Sequence, residues 1–333
     1  MARKSLARHE TVLLRRLAFL LLAAFMVSCG SSDSTVPLNE EELRVAASQR
    51  IDSMLVQAMA GEASGIMFVP GADSVAVSEA LHRLSAGAWI LVEDSTGLLI
   101  SAKNAHRRMF PASLTKMMTC MLALETGNMG DTIEITEDVF LAKDSRVRLG
   151  DRYLLGNMIH EMMLQSDNDA AYALAKHIGG DIPTFCQRMN EKAAYLDMDS
   201  THFANPNGLP SDSTFSTAHD LLLLARYCMR DSAFAKIAGT AFMDIPLADG
   251  RHLPCQNTNM LLESYEGCIG VKTGFTRQAG YCLASAATRR GVRLFLVLLG
   301  SKSLTSRFDE SAILLDYGFR VMAKHLDAKA GTH

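Results

Sequence analysis

Ser113 and Lys116 lie three residues apart, and no other lysine in the chain has a serine at that spacing. On a helix, residues i and i+3 share a face, so hydroxyl and amine can touch. A serine hydroxyl is a poor nucleophile until a base takes its proton, and a neutral amine can do so. A helix N-terminus at Ser113 favours negative charge developing there. This is chemistry for acyl transfer. Downstream, Ser166-Asp167-Asn168 is the only Ser-x-Asn, and Lys272-Thr273-Gly274 the only Lys-Thr-Gly. Each has an ordinary explanation by itself. Serine and aspartate cap helices, and a strand lysine can snorkel beside a bulge glycine.

The elements that must position these residues are readable from pattern. Pro111 favours the approach to a helix, and Met117, Met118, Met121, Leu122 and Leu124 continue it as an apolar run. Residues 88–92 and 98–101, around the turn Asp94-Ser95-Thr96-Gly97, read as a hairpin. A short strand is expected at 133–136, and helices at 152–164, 170–178, 182–194 and 217–229. Ser166 to Asn168 then falls in an inter-helix loop. Residues 202–213 read as loop, with Asn205-Pro206-Asn207-Gly208 as a turn. Lys272 to Phe275 falls in a strand over 268–275. Two further strands, 280–287 and 292–299, meet at Arg289-Arg290-Gly291, and a last helix runs over 307–324. Strands at both ends with helices between imply an antiparallel sheet in which the chain's ends are neighbours.

The chain has 333 residues, 48% hydrophobic and 21% charged, with net charge −3. That composition is globular and suggests no nucleic-acid partner. The N-terminus differs from the rest. Arg3, Lys4, Arg8, Arg15 and Arg16 precede an apolar run over 17–27. The run is short for a membrane span and fits a secretory signal. Met26-Val27-Ser28-Cys29 resembles a bacterial lipoprotein signal, with Met26 where leucine is usual and Cys29 as the lipidated residue. A plain cleaved signal and an uncleaved anchor are the alternatives. All three imply an exported protein of the periplasm or cell envelope. Residues 30–84 read as a Ser-rich linker, a helix over 40–59 and a loop over 61–73. The main domain is expected over 85–325, with a tail at 326–333. Export permits disulfides. Cys120, Cys228 and Cys282 read as buried thiols, and Cys255 and Cys268 as the best candidates for a bridge. No Cys/His spacing suggests a metal site, and no cofactor is expected.

Ser-x-x-Lys, Ser-x-Asn and Lys-Thr-Gly in this order resemble the signature of class A β-lactamases and penicillin-binding proteins. Residues 111–119, 166–171, 203–209, 271–276, 279–281 and 314–319 extend the likeness. Over the whole main domain the sequence resembles the D-alanyl-D-alanine carboxypeptidases, the low-molecular-mass serine penicillin-binding proteins.

The resemblance implies an α/β (α+β) fold of the β-lactamase/transpeptidase-like type. A mainly antiparallel sheet is packed by helices, with a helical lobe beside it. It implies Ser113 as nucleophile, Lys116 as base and Ser166 as proton relay. Asn168 would bind the substrate's peptide backbone. The N–H groups of Ser113 and Phe275 would hold the oxyanion. Lys272, Thr273 and Arg307 would meet the terminal carboxylate, with Gly274 completing the strand motif. A cationic Lys272 would lower the pKa of Lys116. Peptidoglycan stem peptides are the implied substrates and β-lactams the implied inhibitors. An endopeptidase acting on cross-linked stems and a non-catalytic penicillin-binding sensor are alternatives, as is a structural lipoprotein without chemistry. A class A β-lactamase is disfavoured, because Glu191, Glu263 and Glu266 do not fit its deacylating Glu-x-x-x-Asn. Asp167 stands where the family often has glycine, and Asn207 where it often has histidine.

Overall fold

The computed structural model describes residues 66–68, 81–141 and 145–330. Its centre is an antiparallel six-stranded sheet. The strands are β1 (Ile66–Phe68), β2 (Ala88–Glu93), β3 (Leu99–Lys103), β8 (Cys268–Thr276), β9 (Gly280–Arg289) and β10 (Val292–Ser301). They lie in the order β1-β3-β2-β10-β9-β8. The β2–β10 pairing, Ala88 opposite Leu299 and Glu93 opposite Leu294, makes the domain's two ends neighbours as expected.

The inner strands are buried on both faces, and side-chain alternation divides them between two apolar layers. In β10, Leu294, Leu296 and Leu298 face one layer, and Phe295, Val297 and Leu299 face the other. The first layer is closed by the short α7 (Leu261–Ser264) and the long helix α8 (Leu304–Ala330). The second holds α1 (Lys116–Thr126) and the helices α2 (Leu155–Leu164), α3 (Asn168–Gly179), α4 (Ile182–Tyr195), α5 (Ala218–Cys228) and α6 (Ser232–Ala238). Residues 116–123 of α1 are all buried, which is why this helix is apolar all round. Among the described residues no helix is long and apolar enough to cross a membrane.

Several expectations are corrected. Within 61–73, residues 66–68 form a strand on β3 rather than loop. The expected helix over 152–164 begins only at Leu155. Arg152–Leu154 is β5, which pairs with β4 (Thr132–Glu134) and turns Tyr153 inward between two exposed residues. A hairpin of β6 (Phe242–Pro246) and β7 (His252–Gln256) was not foreseen. Its strands carry prolines and mostly exposed residues, so the apolar alternation that signals a strand is weak. The last helix is longer than 307–324. The expected helix over 40–59 lies outside the described residues. So does Cys29.

The expected Cys255–Cys268 bridge is absent, and all six described cysteines are free. The Cys255 thiol instead donates to the Glu161 carboxylate at 2.7 Å. Burial raises the Glu161 carboxyl to about 6, with the thiol hydrogen bond opposing the rise.

Candidate active site

The chain enters the site through a strained corner. Ala112 takes the left-handed conformation at φ 49°, unusual for a residue with a Cβ. A 3-10 turn over Ala112–Thr115 carries Ser113 and runs directly into α1. Gly208 makes the corner possible. It too is left-handed, at φ 82°, and a Cβ there would lie 1.9 Å from the Ala112 carbonyl oxygen. The Asn-Pro-Asn-Gly turn thus packs directly against the backbone before the serine.

Lys116 Nζ donates at 2.9 Å to three oxygens: Ser113 Oγ, Asn168 Oδ1 and the Asn207 carbonyl. The side chain is wholly buried. Burial lowers its pKa to about 7, with the carboxylate of Asp167 pulling the other way. An amine within reach of the hydroxyl, titrating near neutrality, has the geometry and the pKa of a general base.

Asn168 opens α3, and Asp167 caps it. Asp167 Oδ1 accepts from the backbone N–H groups of Asp169 and Ala170. Its Oδ2 accepts from Ser145 Oγ and the Arg146 N–H. Of the two capping residues the sequence offered, aspartate serves. Ser166 is instead half-buried and left-handed at φ 62°, a second strained residue beside the site.

The opposite wall is β8. A Cβ on Gly274 would lie 3.1 Å from Ser113 N and 3.2 Å from the Ala112 Cβ, so glycine lets the strand run alongside the serine's amide. Lys272 is buried and donates to the Thr273 carbonyl at 3.2 Å. Burial lowers its pKa well below the ordinary lysine value, and the charges of Lys116 and Arg307 lower it further. For Lys116 burial is the main cause of the shift and Asp167 opposes it. The coupling to Lys272 is that of two like charges, each disfavouring the other's protonation.

Thr273 Oγ1 meets Thr258 Oγ1 at 2.6 Å. Thr258 also donates its N–H to Leu164 O at 3.0 Å, and Gln165 Nε2 donates to Gln256 O at 2.7 Å. The segment after β7 therefore ties the Ser166 loop to β8. Arg307, in the first turn of α8, is buried rather than a surface residue. Its Nη1 donates to the carbonyls of Gly274 and Cys282 at 3.3 and 3.4 Å, and its buried Nε has no partner. Burial lowers it to about 10, which leaves it cationic at neutral pH. Phe275 follows at the groove's edge, stacked on Tyr281 with ring centroids 4.3 Å apart.

The structure thus brings Ser113, Lys116 and Asn168 into direct contact, with Ser166 in the adjoining loop and Lys272 to Phe275 and Arg307 opposite. Sequence reasoning missed the Asn207 carbonyl and Thr258. The Asn-Pro-Asn-Gly turn was visible, but not that its backbone would reach Lys116. Nothing local marks Thr258.

Residues 73–303 match the family described as D-alanyl-D-alanine carboxypeptidase, Peptidase_S11. The D-alanyl-D-alanine carboxypeptidase DacF of Bacillus subtilis is 32% identical over 275 residues, 78% of this chain and 70% of that protein. DacC of Escherichia coli is 32% identical over 286 residues, 80% of this chain and 70% of that protein. The crystal structure of the Streptomyces K15 DD-transpeptidase matches with a TM-score of 0.67 at 30% identity. That match covers 72% of this chain and 98% of the other.

Proposed function

Since the chain belongs to the D-alanyl-D-alanine carboxypeptidase family, we propose that it removes the terminal D-alanine from peptidoglycan stem peptides through an acyl-enzyme on Ser113. The observation that carries the reading is the 2.9 Å contact between Ser113 Oγ and a buried Lys116 Nζ whose pKa lies near 7.

Neutral Lys116 takes the hydroxyl proton as Ser113 Oγ attacks the carbonyl between the two D-alanines. The N–H groups of Ser113 and Phe275 receive the developing oxyanion. Each such donor lowers the barrier by about 3 kcal/mol. Collapse of the tetrahedral intermediate breaks the C–N bond. The amine leaves with a proton that Ser166 relays from Lys116. Water then attacks the ester, and Lys116 again serves as base.

The substrate's terminal carboxylate is met by Thr273, by the unpartnered Nε of Arg307 and by Lys272. An arriving carboxylate supplies the opposite charge that buried Lys272 lacks in the free protein and raises its pKa. Asn168 keeps its side-chain amide for the substrate's backbone, because its Oδ1 already accepts from Lys116. β-Lactams present a carbonyl and a carboxylate in the same relation and acylate Ser113.

The test is D-alanine release from a pentapeptide ending in D-Ala-D-Ala, with Ser113→Ala as control. Release that survives the substitution refutes Ser113 as nucleophile. No release from folded protein refutes the activity.

Cys29 is proposed as a lipid-bearing residue holding the enzyme to an envelope membrane. The basic cluster, the short apolar run and Met26-Val27-Ser28-Cys29 support this. Incorporation of labelled fatty acid in the bacterial cell, lost in Cys29→Ala, tests it.

A further inference from the structure

Phe275 is an exposed large apolar side chain beside the site, at 48%, and nothing in the chemistry above uses its ring. Only its backbone N–H enters the mechanism. The face on which the ring lies is set by strand alternation. Gly274 turns toward Ala112 and Ser113, so Phe275 and Thr273 turn to the other face of β8. There Tyr281 stands directly opposite Phe275 in the register, and the two rings stack at 30°. The Arg307 guanidinium lies 5.6 Å from the Tyr281 ring centroid, with its unpartnered Nε in the same region. A terminal residue whose carboxylate sits at Thr273 and Arg307 therefore lies on the same face of β8 as this ring.

We propose that the Phe275 ring, braced by Tyr281, is a specificity wall for the departing C-terminal residue, admitting a small apolar side chain such as methyl and excluding larger ones. The inference rests on the acylation site being Ser113 with Phe275 N as oxyanion donor. The brace matters physically. An exposed phenylalanine alone has freedom about χ1 and χ2, whereas a ring stacked on a neighbour keeps one position at little entropic cost. A wall of this kind discriminates by volume, and one or two carbon atoms at an apolar surface are worth about tenfold or more in kcat/KM.

The test uses the full chain and two diacetylated tripeptides, one ending in D-Ala-D-Ala and one in D-Ala-D-Leu. The readout is the ratio of their kcat/KM values, so a general loss of activity does not enter. Phe275→Ala is expected to raise the D-Leu to D-Ala ratio about tenfold or more. Phe275→Leu, which retains apolar bulk on the strand, is expected to raise it less, and Tyr281→Ala, which removes only the brace, to raise it partially. A ratio that stays within about threefold of wild type in both Phe275 variants overturns the proposal, as does one that falls. A benzylpenicillin mass shift on Ser113, measured on the same preparations, separates the two levels. Acylated protein with an unchanged ratio refutes the wall alone. Absent acylation in the wild type refutes the site on which it rests.

Discussion

Acylation of Ser113 should follow the titration of Lys116 and not that of an ordinary lysine. With a pKa of about 7, Lys116 is about half neutral at pH 7 and about one-eleventh neutral at pH 6. A lysine left at 10.5 would be neutral in roughly one molecule in three thousand at pH 7. Burial therefore enlarges the population able to accept the serine proton on the order of a thousandfold. The second-order rate of labelling by benzylpenicillin, whose carboxylate stays ionised, should rise about fivefold from pH 6 to pH 7 and flatten above about 8.

The Asp167 carboxylate opposes this shift, so Asp167→Asn should move the rising limb to lower pH, by up to about one unit. Asparagine retains the capping oxygen that accepts from Asp169 and Ala170. It loses an acceptor for Ser145 Oγ and the Arg146 N–H. The same variant should therefore lose about 1–3 kcal/mol of stability while reacting faster at low pH. A flat profile, a limb near pH 10, or a limb that Asp167→Asn moves upward would refute burial as the activating cause.

Gly208→Ala should cost about 3 kcal/mol or more, read as a fall in Tm. A Cβ there would collide with the Ala112 carbonyl at a φ that disfavours side chains. Acylation should slow with it, because Asn207 O loses its place against Lys116. Glu161 has a folded pKa raised from 4.5 to about 6. Its contribution is fully present below pH 4.5 and lost as pH rises through about 6, a loss of about 2 kcal/mol. Denaturant unfolding of Glu161→Gln should lack this decline, and equal pH slopes in the two proteins would contradict the assignment. Alkylation in denaturant without reductant should modify Cys120, Cys186, Cys228, Cys255, Cys268 and Cys282 alike. A Cys255–Cys268 species protected until reduction would contradict the thiol–carboxylate pair.

What could be read in the sequence was whatever side chains and local spacing announce. Ser113 and Lys116 share one turn, Asp167 is a residue type that caps helices, and the run 292–299 names its strand by composition. Arg307 was legible only through family likeness, since an arginine early in a helix has no local signature of burial. What escaped was contributed by backbone or by distant partners. The third partner of Lys116 is a carbonyl, which any residue at 207 would carry. Thr258 matters because it lies against both Leu164 and Thr273, a coincidence of packing that no window of sequence contains. Cys255 and Cys268 flank a polar stretch in the chain, yet Cys255 turns to a carboxylate on α2. The start of α2 was misplaced because Arg152–Leu154 carries no apolar alternation beyond Tyr153.

The strand order also sets a schedule for folding. The last of the sheet's described strands in chain order, β10, lies in the middle of the sheet, between β2 and β9. Until residues 292–301 leave the ribosome, the hairpin of β2 and β3 has an open apolar edge awaiting a partner about 200 residues downstream. The hairpin of β8 and β9 waits in the same way. A chain cut short before β10 would hold two half-sheets with exposed edges, the form most prone to pairing with other chains. The catalytic groove has the same timetable. Ser113 and Lys116 are made early, but the wall that faces them can settle only when the final strand joins the two halves.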